Sequence, residues 1–546
     1  MKRLFTALLL IPVCHSLTHA QCEETPSNKI LLVGDSWAAF QNGYATINEG
    51  LKNVGHSDKR FVSSTIISEN GADTWDFVDG PKQDAIQELI DANPDVEIVH
   101  LSIGGNDVLG DWHLSFTDEQ TDSLTETVEV RLRTIIDFLQ GTRDGMRVFW
   151  PGYTYPNFGE ILGELGAFQN LHPFFPTWDD MGQPEFILIN TILNNMSDSV
   201  LAEANADPRL DFVPAQAIIQ HTFGQTSPLG VAPGGTYDQF EAPMPLGYPE
   251  YPSPQDGMGL YVATVKDCFH LSQEGYLAMF DYQAHKFYQK FLMDDLYVLS
   301  DGGNADGTVS SSGTVSSDIE IGEDNGSELD AVLTFDVTGM ADTTLSAASI
   351  FLRRASLAGN NPMSGEVHVK MVNGYFGTSN DVEPSDFMEL GTSNGTLCVF
   401  GSHEEDGHWV RLDLNQDMLA NISNQDQVQF MITAPGFTDG VMAFHDASDP
   451  EYAPILNLKY ESPNGISNAT RPKEFSVYPV PTTGPLTIDL DPFKLESIEV
   501  LNLMGKVAMK PIWVNNTIDV SSLPAGSYIL RATTTDGVNA SRIIKQ

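Results

Sequence analysis

The sequence predicts an α/β domain with a parallel sheet, followed by an all-β sandwich and a small all-β domain. Three observations predict this order. Apolar runs typical of buried strands alternate with helical stripes over 27–298, short alternating runs separated by turn residues fill 319–461, and 474–546 again resembles a chain of strands. Strands that alternate with helices favour a parallel sheet, whereas closely spaced short strands favour an antiparallel sandwich.

The first strand and the first helix are predicted within 30–55. Ile30 to Val33 is a continuous apolar run, as expected for a strand buried on both faces. The apolar stripe that follows has spacings of three and four and predicts a helix, with Gly55 as a C-cap. Its members are Trp37, Phe40, Tyr44, Ile47 and Leu51.

The later α/β elements follow the same pattern. The runs 96–103 and 147–150 predict buried strands, the stripe at 128–139 predicts a helix between them, and a long closing helix is predicted to begin near Ser272. The stretch 152–260 is rich in Pro, Gly and aromatic residues, which predicts long loops over one end of the sheet. Such loops either shape a binding site or form a purely structural excursion.

Composition limits the partners and the location of the protein. The 546 residues suggest about three or four domains. With 28 basic and 74 acidic residues the net charge is −46, which excludes nucleic acid as a favoured partner. The acidic residues indicate a soluble, salt-adapted surface, or alternatively calcium sites in acidic loops. After the N-terminal leader, no segment is long and apolar enough to span a membrane.

The N-terminus has the pattern of a secretory signal peptide. Two basic residues precede the apolar run 4–13, and the small residue Ala20 predicts cleavage there, so that the signal is 1–20. A lipoprotein site at Cys22 is disfavoured because bulky Gln21 precedes it. The other cysteines of the mature chain, Cys268 and Cys398, show no disulfide framework or zinc spacing, and no pairing is assigned.

Two segments are predicted as linkers. Residues 299–318 are rich in Gly, Ser and Asp and poor in apolar residues, and 462–473 separates the sandwich from the C-terminal domain.

Ser36 is the first candidate for chemistry. It stands in Gly34-Asp35-Ser36, between the predicted first strand and the helix that follows. A serine there is either a helix N-cap or a nucleophile at the carboxyl edge of the sheet, where ligands of parallel α/β sheets bind.

A nucleophilic serine needs a base and a group that orients it. Of the thirteen histidines, only His270 has an aspartate three residues before it, Asp267. On a loop the two side chains can point the same way, with the other ring nitrogen facing Ser36. The alternative is a turn aspartate beside a surface histidine.

Acyl transfer also needs donors for the developing oxyanion. The candidates are the Asn106 side-chain amide, the backbone N–H of Gly71 and the backbone N–H of Ser36 at a helix start. Asn106 and Gly71 are equally compatible with ordinary turns.

Together these residues resemble the blocks of the GDSL, or SGNH, hydrolases. In order they are Gly34-Asp35-Ser36, Gly71, Gly104-Gly105-Asn106-Asp107 and Asp267-x-x-His270. Over 27–298 the resemblance implies a flavodoxin-like three-layer α/β/α sandwich that hydrolyses esters. It implies that Ser36 is the nucleophile, His270 the base and Asp267 its orienting group, with Ser36, Gly71 and Asn106 as oxyanion donors. That chemistry needs no metal or cofactor. Trp37 replaces the family's usual leucine.

The C-terminus resembles the type A sorting domain of type IX secretion. The resemblance rests on Tyr478-Pro479-Val480-Pro481, Gly484 and Pro524-Ala525-Gly526-Ser527-Tyr528, and covers 474–546. It implies a Bacteroidetes-type bacterium, interaction with the secretion machinery, and a product that is secreted or held at the outer cell surface.

The middle domain, 319–461, is similar to the DNRLRE-type β-sandwich of secreted polysaccharide enzymes. The similarity rests on strand motifs such as 331–337 and 455–460 and implies carbohydrate or surface attachment; an inert spacer is the alternative. Trp409 is a candidate for stacking on a sugar, but a lone Trp in an alternating strand is more often core.

The sequence therefore predicts a secreted serine esterase acting on acetyl or other short acyl esters of polysaccharide. The alternatives are a lipase or lysophospholipase with the same triad, acyl transfer to a sugar, and a surface adhesin without catalysis.

Overall fold

A computed structural model describes residues 24–225, 230–235, 244–338, 344–422, 425–461, 477–478, 482–488, 495–502, 507–513, 516–524, 526–534 and 537–545. The predicted signal peptide, Cys22 and the predicted linker 462–473 lie outside the described residues. Within the described ranges, none of the helices combines the length and the apolar character that crossing a membrane requires.

The N-terminal domain is built on a five-stranded parallel sheet with the order β2-β1-β3-β4-β5. Its strands are β1 (Ser27–Gly34), β2 (Lys59–Val62), β3 (Ile98–Ser102), β4 (Arg147–Trp150) and β5 (Leu210–Phe212). This is the flavodoxin-like strand order, in which ligands bind at the carboxyl ends of the strands. The predicted α/β fold class is confirmed.

Helices cover both faces of the sheet. They are α1 (Ser36–Tyr44), α2 (Thr46–Asn53), α3 (Pro81–Ala92), α4 (Gly105–Asp111), α5 (Asp118–Gly141), α6 (Phe158–Glu164), α7 (Phe175–Asp180), α8 (Phe186–Ala204), α9 (Ile218–Phe223), α10 (Gln273–Gln283) and α11 (Gln289–Phe291). Alternate residues of β1 pack into two different cores. Leu31 and Val33 belong to one core, and Ile30 and Leu32 belong to the other. The domain therefore has three layers.

The stripe predicted as a helix over 37–51 is broken into α1 and α2. Ala45, between them, has a left-handed backbone with φ 56°. The break has a packing reason, because Trp37 of α1 belongs to one core and Ile47 and Leu51 of α2 belong to the other. The cap of α2 is Val54 rather than Gly55.

The stretch 152–260 is more regular than predicted. It contains α6 to α9, and α8 with β5 completes a crossover after β4 that extends the parallel sheet. The expectation that this stretch forms only loops over one end of the sheet is therefore wrong. Proline-rich segments on both sides of α8 obscure its apolar stripe, which is buried at Ile189, Leu193, Met196 and Val200.

The closing helix begins as predicted. Ser272 is its N-cap, with Oγ accepting the N–H of Gly275 at 3.0 Å. Between α10 and α11 the chain forms one π-helical turn, Ala284–Tyr288. From this turn Nε2 of His285 lies 2.9 Å from the Gly407 carbonyl of the following domain, so the turn contributes to the domain contact.

A hairpin precedes α10 in the chain, and an antiparallel sandwich follows α11. The hairpin is β6 (Met258–Val262) with β7 (Val265–Leu271). The sandwich comprises β8 (Leu296–Leu299), β9 (Gly307–Ser310), β10 (Val315–Ser316), β11 (Ile319–Asp324), β12 (Ser327–Asp336), β13 (Leu345–Gly359), β14 (Val367–Asn373), β15 (Ser393–Leu397), β16 (Val399–Gly401), β17 (Trp409–Asp413), α12 (Gln416–Ile422), β18 (Gln427–Thr433), β19 (Gly440–Phe444) and β20 (Ile455–Tyr460).

Strand β13 belongs to both sheets of the sandwich. Its first part pairs with β17 and β20, and its last part pairs with β19. The pairing shifts between Arg354 and Ser356, where the strand passes from one sheet to the other. The second sheet runs β15-β14-β18-β12-β11-β19-β13.

The predicted linker 299–318 is part of the sandwich. It contains β9 and β10, and β9 pairs with β12. Val309 in β9 is fully buried. Small polar residues around this short strand make it resemble a linker in composition, while its backbone hydrogen bonds hold it in the sheet.

The sandwich packs directly on the α/β domain. Phe351 and Trp409 join Ile30 and Leu51 in one apolar core. Trp409 is 2% exposed, so it is a core residue and not a platform for a sugar.

The C-terminal domain has small antiparallel sheets. Its strands are β21 (Val477–Tyr478), β22 (Pro485–Ile488), β23 (Leu495–Leu501), β24 (Val507–Met509), β25 (Thr517–Asp519), β26 (Gly526–Thr534) and β27 (Gly537–Lys545). Leu486, Val500 and Leu530 are fully buried in its core. Elsewhere, Cys398 is disulfide-bonded and Cys268 is a buried free thiol.

Candidate active site

Ser36 is the first residue of α1, directly after β1. The turn requires glycine at position 34, because a Cβ there would lie 1.9 Å from the Ser102 carbonyl oxygen. Asp35, not Ser36, is the N-cap: its Oδ1 accepts the Trp37 N–H at 2.9 Å. The N-cap interpretation of Ser36 is therefore wrong, and its hydroxyl is free of that role.

His270 and Asp267 lie on β7 rather than on a loop. The His270 side chain reaches Ser36, and Asp267 reaches His270. Nε2 of His270 lies 2.8 Å from Ser36 Oγ, and Nδ1 lies 3.0 Å from Asp267 Oδ2. The alternative of a turn aspartate beside a surface histidine does not describe this arrangement, because both side chains are nearly buried. The three residues form a continuous hydrogen-bonded chain.

Asp267 is held as a carboxylate. Burial alone would raise its pKa, but the hydrogen bond and the charge of His270, with backbone N–H groups, outweigh burial and lower the pKa. Its Oδ1 accepts the N–H groups of Phe269 and His270, both at 2.8 Å. These bonds fix the carboxylate against the Nδ1 side of the ring.

Aromatic rings enclose the imidazole. The ring centroids of Phe40 and Phe174 lie 4.6 and 5.6 Å from that of His270. Ser36 itself is 4% exposed. Phe40 comes from α1 and Phe174 from the segment before α7, so the stretch 152–260 contributes a wall of the site.

The other predicted site residues, Gly71 and Asn106, lie in the segments that follow β2 and β3, at the same edge of the sheet. Asn106, in α4 after β3, donates from Nδ2 to the Ala72 carbonyl at 2.7 Å, which places its amide against the loop of Gly71. Gly71 is exposed and has φ +81°. The Glu69 N–H donates to the Gly34 carbonyl at 3.0 Å and ties that loop to the Ser36 turn. One Nδ2 proton of Asn106 is thus engaged, and an amide has two.

Asp107 fixes the position of Asn106. Its carboxylate accepts the N–H of Thr74 at 2.9 Å and the Thr74 hydroxyl at 2.5 Å, and Arg131 lies 3.3 Å away. These contacts hold α4 against the loop that follows Gly71. The only signal in the sequence for this role is the position of Asp107 beside Asn106.

A buried pair behind Ser36 was not predicted. The Tyr153 hydroxyl donates to Oδ2 of Asp35 at 2.6 Å, and both side chains are buried. Burial raises the pKa of Asp35 to about 7, although hydrogen bonds from Tyr153 and Trp37 oppose the rise. The Gly34-Asp35-Ser36 triplet could have drawn attention to Asp35 as a site residue. The only sequence signal for Tyr153 is its position shortly after β4.

The tip of the β6–β7 hairpin is apolar and exposed. Leu260, Tyr261 and Val262 are 64%, 54% and 60% exposed. The same hairpin carries His270 on β7, so this surface belongs to the element that supplies the imidazole. Among the described residues, no group of three or more His, Cys, Asp or Glu side chains is placed to hold a metal ion.

The fold and this geometry define a class: a parallel α/β protein with a Ser–His–Asp hydrogen-bonded chain at the carboxyl edge of its sheet. At the other end of the chain, residues 476–546 match the family model described as the secretion system C-terminal sorting domain. The sorting domain predicted there is confirmed. It indicates secretion or attachment at the cell surface in bacteria of the Bacteroidetes type.

Comparison with curated proteins finds no match. Among solved structures, the chain is similar to a lipase from a goat rumen metagenome at 9% identity, covering 48% of this chain and 98% of that one, with a TM-score of 0.28. It is also similar to a GDSL-like lipase from Bacteroides thetaiotaomicron at 14% identity, covering 48% of this chain and 89% of that one, with a TM-score of 0.26. An extracellular lipase from Streptomyces rimosus matches at 14% identity, covering 46% of this chain and 98% of that one, with a TM-score of 0.26.

Proposed function

We propose that this chain is an exported serine esterase that cleaves carboxylic esters through an acyl-enzyme. One observation carries the proposal: Ser36 Oγ lies 2.8 Å from Nε2 of His270, whose Nδ1 lies 3.0 Å from Asp267. A serine hydroxyl in contact with an imidazole oriented by a carboxylate is the arrangement that activates serine as a nucleophile.

In the proposed reaction His270 Nε2 takes the Ser36 proton while Oγ attacks the ester carbonyl. Collapse of the tetrahedral intermediate releases the alcohol, which receives the proton from His270. Water then attacks the acyl-enzyme with His270 as the base again, and releases the acid. Asp267 stabilises the imidazolium that forms during acylation and again during deacylation.

The oxyanion would be held by N–H groups from three adjacent loops. The Ser36 N–H lies at the start of α1, where the helix dipole favours negative charge. Gly71 and Asn106 follow β2 and β3, the two neighbours of β1. Support for this part is their placement at one edge and the bond that joins Asn106 to Ala72.

We infer a short acyl group, on a polysaccharide, as the substrate. The close walls of Phe40 and Phe174 around His270 favour a small acyl group such as acetyl. The similarity of the middle domain to sandwiches of polysaccharide enzymes supports a polysaccharide as the alcohol.

A longer acyl ester is the second candidate. The exposed apolar tip formed by Leu260, Tyr261 and Val262 favours it, because exposed apolar residues grouped on one element often mark a binding surface. A lipid substrate would place its acyl chains along that tip.

The test is hydrolysis of nitrophenyl acetate and nitrophenyl decanoate by the full chain, Ser36→Ala and the control Ser346→Ala, an exposed serine of the sandwich. Loss of activity in Ser36→Ala alone is expected. A preference for acetate supports the first candidate, and a preference for decanoate supports the second. Equal activity of Ser36→Ala and the intact chain would refute the esterase proposal and favour a binding function.

A further inference from the structure

An exposed tryptophan lies in the segment that follows β2, near the active-site edge of the sheet. All seven tryptophans belong to the described part of the chain, and of these only Trp75 is exposed, at 65%. Exposure by itself means little, because single apolar residues are common on protein surfaces. What sets Trp75 apart is how its ring is held and which groups lie beside it.

The turn that carries Trp75 is fixed by its own residues. It is the 3₁₀ turn Thr74–Phe77, in which Asp73 accepts the N–H of Asp76 at 3.2 Å and Asp76 accepts the N–H of Asp73 at 3.1 Å. Phe77 is fully buried in the α/β core. The turn is therefore anchored through Phe77, while Trp75 remains on the solvent side.

Arg131 supports one face of the indole. Its Cζ lies over the Trp75 ring, 5.0 Å from the ring centroid, and its Nη1 lies 3.3 Å from Oδ1 of Asp107. Asp107 is buried and also accepts two hydrogen bonds from Thr74. Because a buried carboxylate holds the guanidinium, the guanidinium holds the ring in one orientation. The part of the ring that Arg131 does not cover is open to a ligand.

The ring lies beside the groups assigned to the oxyanion. Asn106 donates to the carbonyl of Ala72 at 2.7 Å, three residues before Trp75. Gly71 is four residues from Trp75, and four residues span at most about 14 Å even when fully extended. A polymer that presents an ester to Ser36 would therefore have neighbouring units within reach of the indole.

The charges around the ring favour an uncharged polymer. Asp73 and Asp76 flank Trp75 in the sequence, and the guanidinium of Arg131 is already paired with Asp107. These carboxylates would repel a chain of uronic acids. A neutral pyranose meets no such repulsion, and it can place the apolar C–H face of its ring on the indole.

We propose that Trp75 is a specificity-determining residue, a platform on which a neutral pyranose of an O-acetylated polysaccharide stacks while a nearby sugar presents its ester to Ser36. This inference rests on the proposed esterase function. It assigns Trp75 to binding of the polymer and not to the chemical step. A nitrophenyl ester lacks the neighbouring sugar units, so only the polymer gains from the platform.

The test measures kcat/KM from released acetate on four substrates. They are acetylated xylan oligosaccharides free of uronic acid, acetylated glucomannan oligosaccharides, acetylated homogalacturonan and nitrophenyl acetate. The proteins are the intact full chain, Trp75→Ala, Trp75→Phe and Ser36→Ala. Tyr375→Ala is the matched control, because it removes an aromatic ring that is 46% exposed on the sandwich. Melting temperatures verify that each variant is folded.

We expect Trp75→Ala to lower the ratio of kcat/KM on a neutral acetylated polysaccharide to kcat/KM on nitrophenyl acetate about tenfold, on the order expected for a lost stacking contact. Trp75→Phe keeps a smaller ring and should give an intermediate ratio. Tyr375→Ala should keep the ratio of the intact chain. A general loss of active enzyme would lower both rates alike and would not move the ratio.

An unchanged ratio in Trp75→Ala would overturn the role of Trp75 and leave the esterase proposal standing. The same holds if nitrophenyl acetate is cleaved in a Ser36-dependent way but neither neutral polysaccharide is, or if homogalacturonan is the only polymer cleaved. If Ser36→Ala matches the intact chain on every substrate, the esterase proposal fails, and the assignment of Trp75 fails with it.

Discussion

The Tyr153 hydroxyl donates a 2.6 Å hydrogen bond to Oδ2 of Asp35, whose Oδ1 caps the helix that begins with Ser36. The position of the serine is thus set from β4, two strands away in the sheet. Tyr153 also contacts Trp37, with ring centroids 5.0 Å apart. The pair positions Ser36 and does not touch its hydroxyl.

Replacing Tyr153 by Phe should lower kcat on nitrophenyl acetate about tenfold with little change in KM, because Asp35 loses a donor worth about 1.5 kcal/mol and the turn loosens. Steady-state kinetics checks this. Tyr155→Phe is a matched control, since Tyr155 is equally buried but bonds to the Leu246 carbonyl and Asn194. Equal losses in the two variants would argue against a specific positioning role.

Asp35 should make the free energy of unfolding depend on pH. Its pKa is raised from 3.8 to about 7 by burial, so the folded chain keeps its proton over a range in which the unfolded chain loses it. The contribution of this proton to the free energy of unfolding is complete below about pH 4. It disappears as the pH rises through 7, a loss on the order of 4 kcal/mol.

Denaturant unfolding between pH 4 and 8 measures this effect. The free energy of unfolding of the intact protein should fall across the range by more than that of Asp35→Asn, which has no proton to lose. Parallel pH profiles for the two proteins would show that Asp35 is ionised in the folded state.

Replacing Asp267 by Asn should reduce kcat on nitrophenyl acetate on the order of 10³-fold, because the amide neither stabilises an imidazolium nor enforces the tautomer that leaves Nε2 facing Ser36. The lowered pKa of Asp267 predicts that the folded chain keeps this carboxylate charged at neutral pH. Asp256→Asn, on the loop before β6, is the control. Retention of most of the activity by Asp267→Asn would mean that another group orients His270.

The hairpin tip should control the preference for acyl length. If the lipid candidate is right, Leu260→Ser together with Val262→Ser should lower kcat/KM for the decanoate at least several-fold and leave the acetate rate within about twofold. Both side chains lie on the surface, and a long acyl chain bound along the tip would lose its apolar contact there, whereas an acetyl group makes none. The ratio of the two rates is the measurement. Leu390→Ser, which changes an 85% exposed leucine of the sandwich, controls for solubility. An unchanged ratio would remove the support for the lipid candidate.

Local chemistry made much of the protein predictable from the sequence. The strand at 30–33 and the helix that begins near Ser272 depend on neighbouring residues, and both predictions agree with the structure. Spacing and residue type also predict the candidate site residues. By contrast, the break at Ala45, the crossover through α8 and the strand β9 within a Gly/Ser-rich segment depend on which core or sheet each residue meets.

The order of the domains, the sorting segment, and the serine, histidine and aspartate to be considered together all follow from the amino-acid sequence. The three-dimensional packing alone established that Tyr153 reaches Asp35 and that Trp409 is buried between the domains. The reason is physical: a motif reports residue types and spacing, which local chemistry constrains. A contact between residues more than a hundred positions apart depends on how the layers pack, and packing is a property of the whole chain.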